Sequence, residues 1–561
     1  MRNFKRTLLA LACGVAISGP TAAYNFNESL DGSWTDSSAI GTNKGVLIDY
    51  VPSLNLVFFA FFTYAADGTP VWLSTSFVAD PGADSYTGIA VATFEGGEFD
   101  AAGSPAAVDM GTVDINFACN SIQMTFHPAA GSGLNVASFN LAPSLGLDSQ
   151  NASECAVPMN SCPQGTIAMG EDCKLPNSIA GDQYLPYGKK YIVEGKVSVE
   201  AGGRLTVAPG VTVQGSTSSA QPNFILVNPD AQIFAVGTPD LPITFTGPEA
   251  FPGSWAGLVL AGRSTCNDAA GIELGCAFEA DSDINYGGDV LDDNSGRLRY
   301  VRILWAGQLV NPDEELNSLT LLGVGSGTEI DHVQVDGGLD DGIEFFGGSV
   351  NATHVVCSNM GDDCLDFDQG YTGKIQHALI YQGINTDAGD DSNGIEADND
   401  RSNNDKEPRT SPTVSNVTLV GGPVGNEAIR LRRGMGGYFH NIVATDFRDT
   451  CLNLDDAGTF GQGTAAAQGT LQINNSFMGQ CDNGTFEDDG GDPYAVSAWY
   501  NAGTGNGQGD PMLDGFLPQA GSPVLTGGMS PSDPFFVPTT YRGAFSGPND
   551  NWTAGWTVNL P

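Results

Sequence analysis

The sequence predicts an all-β protein in which a small β-domain precedes a long parallel β-helix. Three observations support this class. Short runs that alternate polar and apolar residues are separated by glycines and show no helical period. Similar residues recur every 22 or 23 positions, as from Glu344 to Asp366 and from His332 to His354, a spacing that suits one β-helix coil. The 74 glycines and 31 prolines indicate a turn-rich but folded chain.

The first 23 residues are predicted to be a secretory signal peptide. Arg2, Lys5 and Arg6 precede the apolar run 8–17, and small residues follow as far as Ala23. Cys13 lies inside the apolar run, which argues against a lipid-anchored cysteine. No later stretch is long and apolar enough to span a bilayer. We therefore expect a secreted protein without a membrane span.

Residues 24–157 are predicted to form a small all-β domain. Asp67-Gly68 marks a tight hairpin turn. The strand candidates, all rich in aliphatic and aromatic residues, are 45–50, 55–64 and 70–73. With Gly32-Ser-Trp34 and Gly68-Thr-Pro-Val-Trp-Leu73, this block resembles a small antiparallel β-sandwich module that is common in secreted proteins of Gram-negative bacteria. The resemblance implies that fold and an origin in such a bacterium.

Ten cysteines follow the signal peptide, an even number that predicts disulfides in an oxidising compartment. The CxxC pairs that are typical of structural zinc sites do not occur in the sequence. Connectivity stays open at this level, and pairing between sequence neighbours is the simplest hypothesis. The pairs would be Cys119–Cys155, Cys162–Cys173, Cys266–Cys276, Cys357–Cys364 and Cys451–Cys481.

The charge is strongly acidic: 65 acidic residues stand against 22 basic ones, a formal net charge of −43. Such a charge disfavours nucleic acids and anionic membranes as partners. It leaves two explanations open, namely specific cation binding and the general solubility of a secreted protein.

A cysteine-containing linker is expected at 158–178, the β-helix at 179–500 and a segment that closes the last coil at 501–561. Within the predicted β-helix, four histidines recur at the same position of successive coils, and Tyr300 and Asn416 occupy that position in other coils. Because Tyr and Asn substitute for His there, we predict a stacking ladder at strand starts rather than a catalytic or metal-binding group. These histidines are His332, His354, His377 and His440.

Five strand segments align by their aliphatic residues and predict columns of stacked side chains. The interior columns are Ile343, Leu365, Ile395, Ile429, Leu452 and Phe345, Phe367, Ala397, Leu431, Leu454. The outward columns are Glu344, Asp366, Glu396, Arg430, Asn453 and Phe346, Asp368, Asp398, Arg432, Asp455. Like charges on neighbouring strands, about 5 Å apart, repel by roughly 3 kcal/mol at an effective dielectric near 20. A bound cation, the arginines or water must offset this repulsion.

Two insertions, 383–392 and 399–409, lengthen the coils on either side of the Glu396 strand. Long polar loops on a rigid scaffold commonly carry binding residues, so the ladder is the predicted functional face.

Several motifs of the second part resemble a large family of secreted bacterial right-handed β-helix surface proteins. They are Gly253-Ser-Trp-Ala-Gly-Leu258, Asp293-Asn-Ser-Gly-Arg-Leu-Arg-Tyr-Val-Arg302, Leu322-Gly-Val-Gly-Ser-Gly-Thr328, Asp341-Gly-Ile-Glu-Phe-Phe-Gly-Gly348, Gly394-Ile-Glu-Ala-Asp-Asn-Asp400, Tyr541-Arg-Gly-Ala-Phe545 and Trp552-Thr-Ala-Gly-Trp556. The resemblance extends over residues 180–561. It implies a right-handed, pectate-lyase-like solenoid on the outer cell surface or outside the cell.

A second resemblance is to polygalacturonases, through Asp341-Gly-Ile-Glu344, Gly361-Asp-Asp-Cys364 and Ala428-Ile-Arg-Leu-Arg432. The Gly-His-Gly element of those enzymes is missing, since the next strand reads Ser392-Asn-Gly-Ile-Glu396. This departure weakens the expectation of hydrolase activity.

The first functional hypothesis is a cell-surface or secreted β-helix that binds calcium and an extracellular polysaccharide. Calcium takes six to eight oxygen ligands, and an ion would remove the repulsion of the ladder. Asp390, Asp391 and Asp400 from the insertions are additional candidate ligands. The predicted metal ligands are Glu344, Asp363, Asp366, Asp368, Glu396 and Asp398.

The second hypothesis is an enzyme on the same face. The resemblance to pectate-lyase-like β-helices implies a calcium-dependent polysaccharide lyase with Arg430 or Arg432 as the base, although free arginine is a very poor base. Alternatively, Asp366 and Asp368 lie roughly 6.5–7 Å apart on one strand, near the lower limit for an inverting glycoside hydrolase. The candidate catalytic residues are Arg430, Arg432 and Asp366. A purely structural alternative makes the two arginines the salt-bridge end of the ladder.

Overall fold

The computed structural model describes residues 32–36, 45–51, 56–64, 68–78, 85–95, 106–118, 121–143, 162–219, 221–267, 275–310, 316–383 and 392–561. They belong to two compact units, residues 1–157 and residues 158–561. Strands dominate both units, so the predicted all-β class is confirmed.

The first unit is an eight-stranded antiparallel barrel. Its strands are β1 (Gly32–Asp36), β2 (Gly45–Val51), β3 (Leu56–Tyr64), β4 (Pro70–Val78), β5 (Ser85–Glu95), β6 (Ala106–Ala118), β7 (Ser121–Pro128) and β8 (Ala137–Pro143). Each strand pairs with the next, and β1 also pairs with β8, so the sheet is closed rather than split into two open layers. Alternate residues such as Val57 and Phe59 are fully buried in its core.

The second unit is a parallel β-helix, as predicted. Its first strands are β9 (Ile167–Met169), β10 (Asp172–Lys174), β11 (Ser178–Ile179), β12 (Asp182–Leu185), β13 (Lys190–Val193), β14 (Lys196–Val199), β15 (Arg204–Val207), β16 (Thr212–Gly215), β17 (Phe224–Val227), β18 (Gln232–Val236), β19 (Ile243–Thr246), β20 (Gly257–Ala261), β21 (Cys276–Ala277) and β22 (Asn285–Tyr286). The hairpin of β21 and β22 is antiparallel, as is the later pair of β39 and β40, and the strands that build the coils from β11 onwards pair in parallel.

The central and last coils contain β23 (Gly296–Leu304), β24 (Leu319–Leu322), β25 (Glu329–Asp336), β26 (Ile343–Phe346), β27 (Asn351–Ser358), β28 (Leu365–Asp368), β29 (Lys374–Tyr381), β30 (Ile395–Ala397), β31 (Thr413–Val420), β32 (Ile429–Leu431), β33 (Gly437–Thr445), β34 (Thr450–Leu454), β35 (Leu471–Asn474), β36 (Phe477–Met478), β37 (Gly484–Phe486), β38 (Gly507–Gln508), β39 (Leu513–Asp514) and β40 (Leu517–Pro518). Short helices occur at α1 (Asp456–Phe460) and α2 (Val496–Ala502), with one 3₁₀ turn at Pro523–Leu525. Among the described residues, no helix is long and apolar enough to cross a membrane.

Eleven parallel strands form the sheet that carries the predicted ladder, here called the site sheet. Its order is β11-β14-β17-β20-β24-β26-β28-β30-β32-β34-β37. The other side of the helix is a sheet in which β23 pairs with β18 through its first half and with β19 through its second half. From β23 to β33, each coil therefore contributes one long, bent strand to that side, and the coil after β33 again contributes two short strands, β35 and β36.

The bend in these long strands is a residue in the left-handed conformation, with φ of 54° at His332 and 52° at His354. The rings of Tyr300, His332, His354 and His377 stack there, 4.4, 4.3 and 5.1 Å apart from one to the next, and form the aromatic column. The predicted ladder exists, but it lies within the strands rather than at their starts. Asn and His enter the left-handed region more readily than most residues, which suits them to a bend.

The assignment of His440 to this column was wrong. His440 pairs with Ser415, one residue before the bend residue Asn416. Asn441, with φ of 57°, continues the column after Asn416. The error arose because the sequence spacing alone does not show which of two adjacent polar residues adopts the left-handed conformation.

The core of the β-helix includes the predicted interior columns, in which Ile343, Phe345, Leu365 and Phe367 are fully buried. Four of the five predicted disulfides are present, namely Cys162–Cys173, Cys266–Cys276, Cys357–Cys364 and Cys451–Cys481. The fifth, Cys119–Cys155, lies outside the described residues. Disulfides are consistent with an oxidising, extracytoplasmic environment.

The C-terminal segment, residues 529–561, runs back along the bent sheet and covers the aromatic column. The Trp552 ring meets the His354 ring edge-on at 5.1 Å, and the Trp556 ring meets the His332 ring at 5.5 Å. Gln334 donates to the carbonyl of Val558 at 2.7 Å and accepts from its N–H at 2.9 Å. Trp552 and Trp556 therefore pack on the outside of the central coils and not at the last coil, where we expected the segment 501–561.

Candidate functional site

The outward ladder forms on the site sheet in the predicted register. Glu344 pairs with Asp366, Asp366 with Glu396, Glu396 with Arg430 and Arg430 with Asn453. The side chains of one column stack on one another because every coil adds one strand in parallel register.

The second outward column is also continuous. Phe346 pairs with Asp368. The backbone N–H of Asp398 binds the carbonyl of Phe367, that of Arg432 binds Ala397, and that of Asp455 binds Leu431. Phe346 is 1% exposed because Phe278 of the 276–286 hairpin packs edge-on against it at 5.4 Å. Strand alternation predicted that the Phe346 side chain points outward, but it did not predict that the 276–286 hairpin covers it.

Most of the carboxylates on this face are buried. The exposed fraction is 9% for Glu344, 4% for Asp363, 6% for Glu396 and 3% for Asp398. Exposure to water, one of the three expected ways to offset the repulsion, is therefore small here.

Five carboxylates, Asp341, Glu344, Asp363, Asp366 and Glu396, form what we call the ladder cluster. Oxygens of Asp363, Asp366 and Glu396 all lie within 4.8 Å of one another. The same limit holds for Asp341, Glu344 and Asp366, so Asp366 is shared between the two groups of three. This packing of negative charge is the outstanding electrostatic feature of the site sheet.

Hydrogen bonds hold the outer members of the cluster in place. Oδ1 of Asp341 accepts the N–H of Asp363 at 2.8 Å, and Oδ1 of Asp363 accepts the N–H of Asn393 at 2.8 Å. Asn317 donates to Oε2 of Glu344 at 2.6 Å. Asp341 and Asp363 stabilise the turn that precedes the neighbouring strand. The same hydrogen bonds hold the two carboxylates in one orientation.

Asp366 differs from its neighbours, because its Oδ1 is buried and accepts no hydrogen bond among the described residues. A buried carboxylate oxygen without a donor is costly, and native structures rarely keep one without a reason. Oxygen-rich surroundings and an orphan carboxylate oxygen are the donor set that a hard divalent cation requires.

Burial and mutual repulsion raise the pKa of the cluster carboxyls. Burial followed by neighbouring carboxylates raises the pKa of Asp341, Glu344, Asp363 and Asp366 well above the usual range. Burial and like charges disfavour the ionised form of each of these carboxyls, and a bound cation favours it.

Asp368, beside the cluster, and Glu396, within it, also have raised pKa values. Burial, assisted by Asp398, raises the pKa of Asp368 to about 8. Burial raises the pKa of Glu396 to about 7, although Arg432 counteracts it.

Arg432 is fully engaged in the ladder. Its guanidinium donates to Oδ1 of Asp398 at 2.8 Å and also binds Glu396, and Arg433 binds Oδ2 of Asp398. Burial lowers the pKa of Arg432, but Glu396 and Asp398 outweigh burial and raise it above its ordinary value.

Arg430 makes longer ion pairs, 3.7 Å to Glu427 and 3.5 Å to Asp455. Burial lowers its pKa as well, but Glu427 and Glu396 outweigh burial, so the pKa is again raised. The predicted catalytic arginines are thus both held as cations.

The loop residues contribute less than expected. Asp400 caps its own loop, with Oδ1 accepting from Asn403 N–H at 2.7 Å and Oδ2 bound by Lys406 at 2.7 Å. Asp390 and Asp391 lie outside the described residues.

Sequence reasoning missed Asp341, Asn317, Arg433 and Glu427 as neighbours of the ladder. Asp341 could have been found, because it stands two residues before its strand, as Asp363 does before the next. Asn317 gave no comparable signal, since it precedes a strand without acidic residues.

Comparison with known proteins gives one match. The sequence model of a family described as a pectate-lyase like beta helix domain matches residues 178–557. No curated protein and no solved structure matches the chain.

Proposed function

Because the chain belongs to the family of pectate-lyase-like β-helix domains, we propose that it is a secreted β-helix protein that binds calcium and an acidic polysaccharide on the site sheet. The family supports a polysaccharide-related role in general terms. The observation that carries the specific proposal is the ladder cluster, in which Asp366 presents an unbonded, buried oxygen among four other carboxylates.

In this proposal, calcium is held by Glu344, Asp363, Asp366 and Glu396. All four supply carboxylate oxygens, the ligands that calcium prefers, and none supplies nitrogen or sulfur. Bound calcium supplies the positive charge that the cluster lacks and a coordination partner for a sugar carboxylate. The protein residues themselves orient the oxygens through the turn hydrogen bonds of Asp341 and Asp363.

Two further predicted ligands have other main partners. Both oxygens of Asp398 contact arginines, so Asp398 positions Arg432 and Arg433 beside the cluster. Oδ1 of Asp368 accepts the N–H of Gln369 at 2.6 Å. We therefore place these two carboxylates at the edge of the cation site.

The site sheet offers additional contact area for a polymer. A cavity of about 820 Å³ is lined by Lys196 and Phe224 of the site sheet and by Phe278 and Asp281 of the 276–286 hairpin. Lysine suits a uronate carboxylate, and aromatic faces suit sugar rings. A polysaccharide that spans several coils meets both the cavity and the ladder.

The proposal is tested by the variant Asp366→Asn, which keeps the shape of the side chain and removes its charge. We expect it to weaken calcium binding in titration calorimetry, and calcium-dependent retention of uronate polysaccharides, by about tenfold or more. Asp405→Asn is the matched control, because Asp405 is 87% exposed in the neighbouring loop. Unchanged calcium and glycan binding by Asp366→Asn would overturn the proposal.

An enzyme is the second candidate. Its support is the pKa of Asp368, raised to about 8, because such a carboxyl is protonated at neutral pH as a general acid must be. A lyase that uses Arg430 or Arg432 as a base has less support, since ion pairs raise the pKa of both. Incubation of the same polysaccharides with the protein separates the candidates: new reducing ends indicate a hydrolase, and unsaturated uronate indicates a lyase.

A further inference from the structure

Three carboxylates near the C-terminal end of the β-helix meet outside the ladder cluster. Glu427 precedes β32, Asp449 precedes β34 and Glu487 follows β37, so they come from three successive coils of the site sheet. One carboxylate oxygen from each lies within 4.8 Å of the others. We call these three residues the Glu427 cluster.

Glu427 is the informative member of this group. It is 3% exposed, and its Oε2 accepts no hydrogen bond among the described residues. The nearest cation that contacts Oε2 is the guanidinium of Arg430 at 3.7 Å, which also pairs with Asp455. Among the described residues, this long ion pair, which Arg430 shares with Asp455, offsets only part of the charge of three neighbouring carboxylates.

Neutral donors orient all three side chains. Asn453 donates to Oε1 of Glu427 at 2.9 Å, and Asn483 donates to Oδ1 of Asp449 at 2.9 Å. Thr450 donates to Oε2 of Glu487 at 3.3 Å. Such donors fix the carboxylates without neutralising them, which is the usual arrangement around metal ligands.

We propose that Glu427, Asp449 and Glu487 form a second calcium site, which ties together three coils at the C-terminal end of the β-helix. All three ligands are carboxylates, which favours a hard cation, and ligands from three separate turns suit the tolerant geometry of calcium better than the strict octahedron of magnesium. The disulfide Cys451–Cys481 joins the last two of these coils, so the ion adds β32 to a region that is already cross-linked.

Calcium stoichiometry measured by equilibrium dialysis of the full-length protein tests the site. We expect two ions per chain for the wild type, one for Glu487→Gln, one for Asp366→Asn and none for the double variant. Glu407→Gln is the control, since Glu407 is 71% exposed in the 399–409 loop, and it should keep both ions.

The two proposals fail in different ways. A Glu487→Gln variant that still binds as many ions as the wild type would overturn the second site, whatever happens at the ladder cluster. One ion in the wild type that is lost in Glu487→Gln and kept in Asp366→Asn would support the second site and overturn the first. If Glu487→Gln does not fold, Asp449→Asn removes one charge from the same cluster, and retention of every wild-type ion in that variant overturns the second site.

Discussion

At the scale of single residues, Asp366 couples the two halves of the ladder cluster. It lies within reach of Asp341 and Glu344 on one side and of Asp363 and Glu396 on the other. A proton or a cation near Asp366 therefore relieves repulsion from four carboxylates at once. Each of these four neighbours accepts a hydrogen bond from a protein donor, whereas Oδ1 of Asp366 accepts none among the described residues. Asp366 is therefore the carboxylate of the cluster that most needs a proton or a cation.

The raised pKa values predict how the calcium-free protein responds to pH. Glu396 titrates at about 7, Asp368 at about 8 and Glu427 at about 9 in the folded state, and all three titrate near 4 when unfolded. The folded state thus binds more protons between these limits, so the contribution of these three carboxyls to stability is fully present below pH about 4 and is lost as the pH rises towards 9.

The measurement is the melting temperature in chelator from about pH 7 to pH 8.5, above the pH range in which the histidines of the aromatic column contribute with the opposite sign. We expect it to fall across this range, and excess calcium to flatten the profile because the cation replaces the protons. A melting temperature in chelator that does not fall as the pH rises would show that Glu396, Asp368 and Glu427 do not have raised pKa values in the folded state.

At the scale of the structural element, the aromatic column is a second pH-sensitive feature with the opposite sign. Burial, together with the neighbouring His354, lowers the pKa of His377 to about 4, and burial also lowers the pKa of His332. Asp550 faces His377 and Asp331 faces His332, and both oppose the shift. The folded state binds fewer protons than the unfolded chain here, so stability is lost as the pH falls below about 6.5.

His377→Asn isolates this contribution. Asparagine tolerates the φ of 60° at this position, as Asn416 does in the next coil. At pH about 5 we expect the variant to lose less stability than the wild type, by roughly 1–2 kcal/mol, because it has no imidazole to protonate. Urea unfolding at pH 5 and pH 7 measures the difference. Equal losses in both proteins would refute a role for His377 in acid sensitivity.

Strand alternation was sufficient to predict the elements of the ladder. Ile343, Leu365 and Ile395 point inward and Glu344, Asp366 and Glu396 outward, because residues two apart on a strand share a face. Pairing of sequence neighbours was sufficient for the disulfide Cys357–Cys364, because the two cysteines lie near the end of one strand and just before the next within a single coil. These features depend on local sequence and regular geometry alone.

Burial of the ladder could not be predicted in the same way. It arises from the 276–286 hairpin, which covers Phe346, and from asparagines such as Asn317, which lie in other coils. The left-handed bend at Asn441 rather than His440 likewise depends on pairing with the previous coil. Contacts between distant segments decide all three, and a single sequence carries no direct record of them.

At the scale of the whole molecule, the net charge of −43 belongs to the entire chain, but the candidate cation sites are confined to one unit among the described residues. Every group of three closely spaced metal-binding side chains in the described residues lies in the second unit, and none lies in the barrel. Calcium should therefore stabilise the β-helix and leave the barrel unchanged.

Hydrogen exchange with and without chelator tests this distinction. We expect faster exchange in chelator for peptides from β26 to β37, where the carboxylates are held, and no change for peptides from β1 to β8. Equal acceleration in the barrel would indicate that the cation acts through general charge screening, which does not distinguish between the two units.

The C-terminal segment has a consequence for how the molecule reaches its native state. Val558 binds Gln334, and Asn559 binds Asp336, partners that precede them by 224 and 223 residues. Synthesis proceeds from the N-terminus, so the central coils exist before residues 552–559 do. Until those residues have been added, the aromatic column is uncovered on the outside of the coils, and the incomplete chain is accessible there to chaperones and proteases.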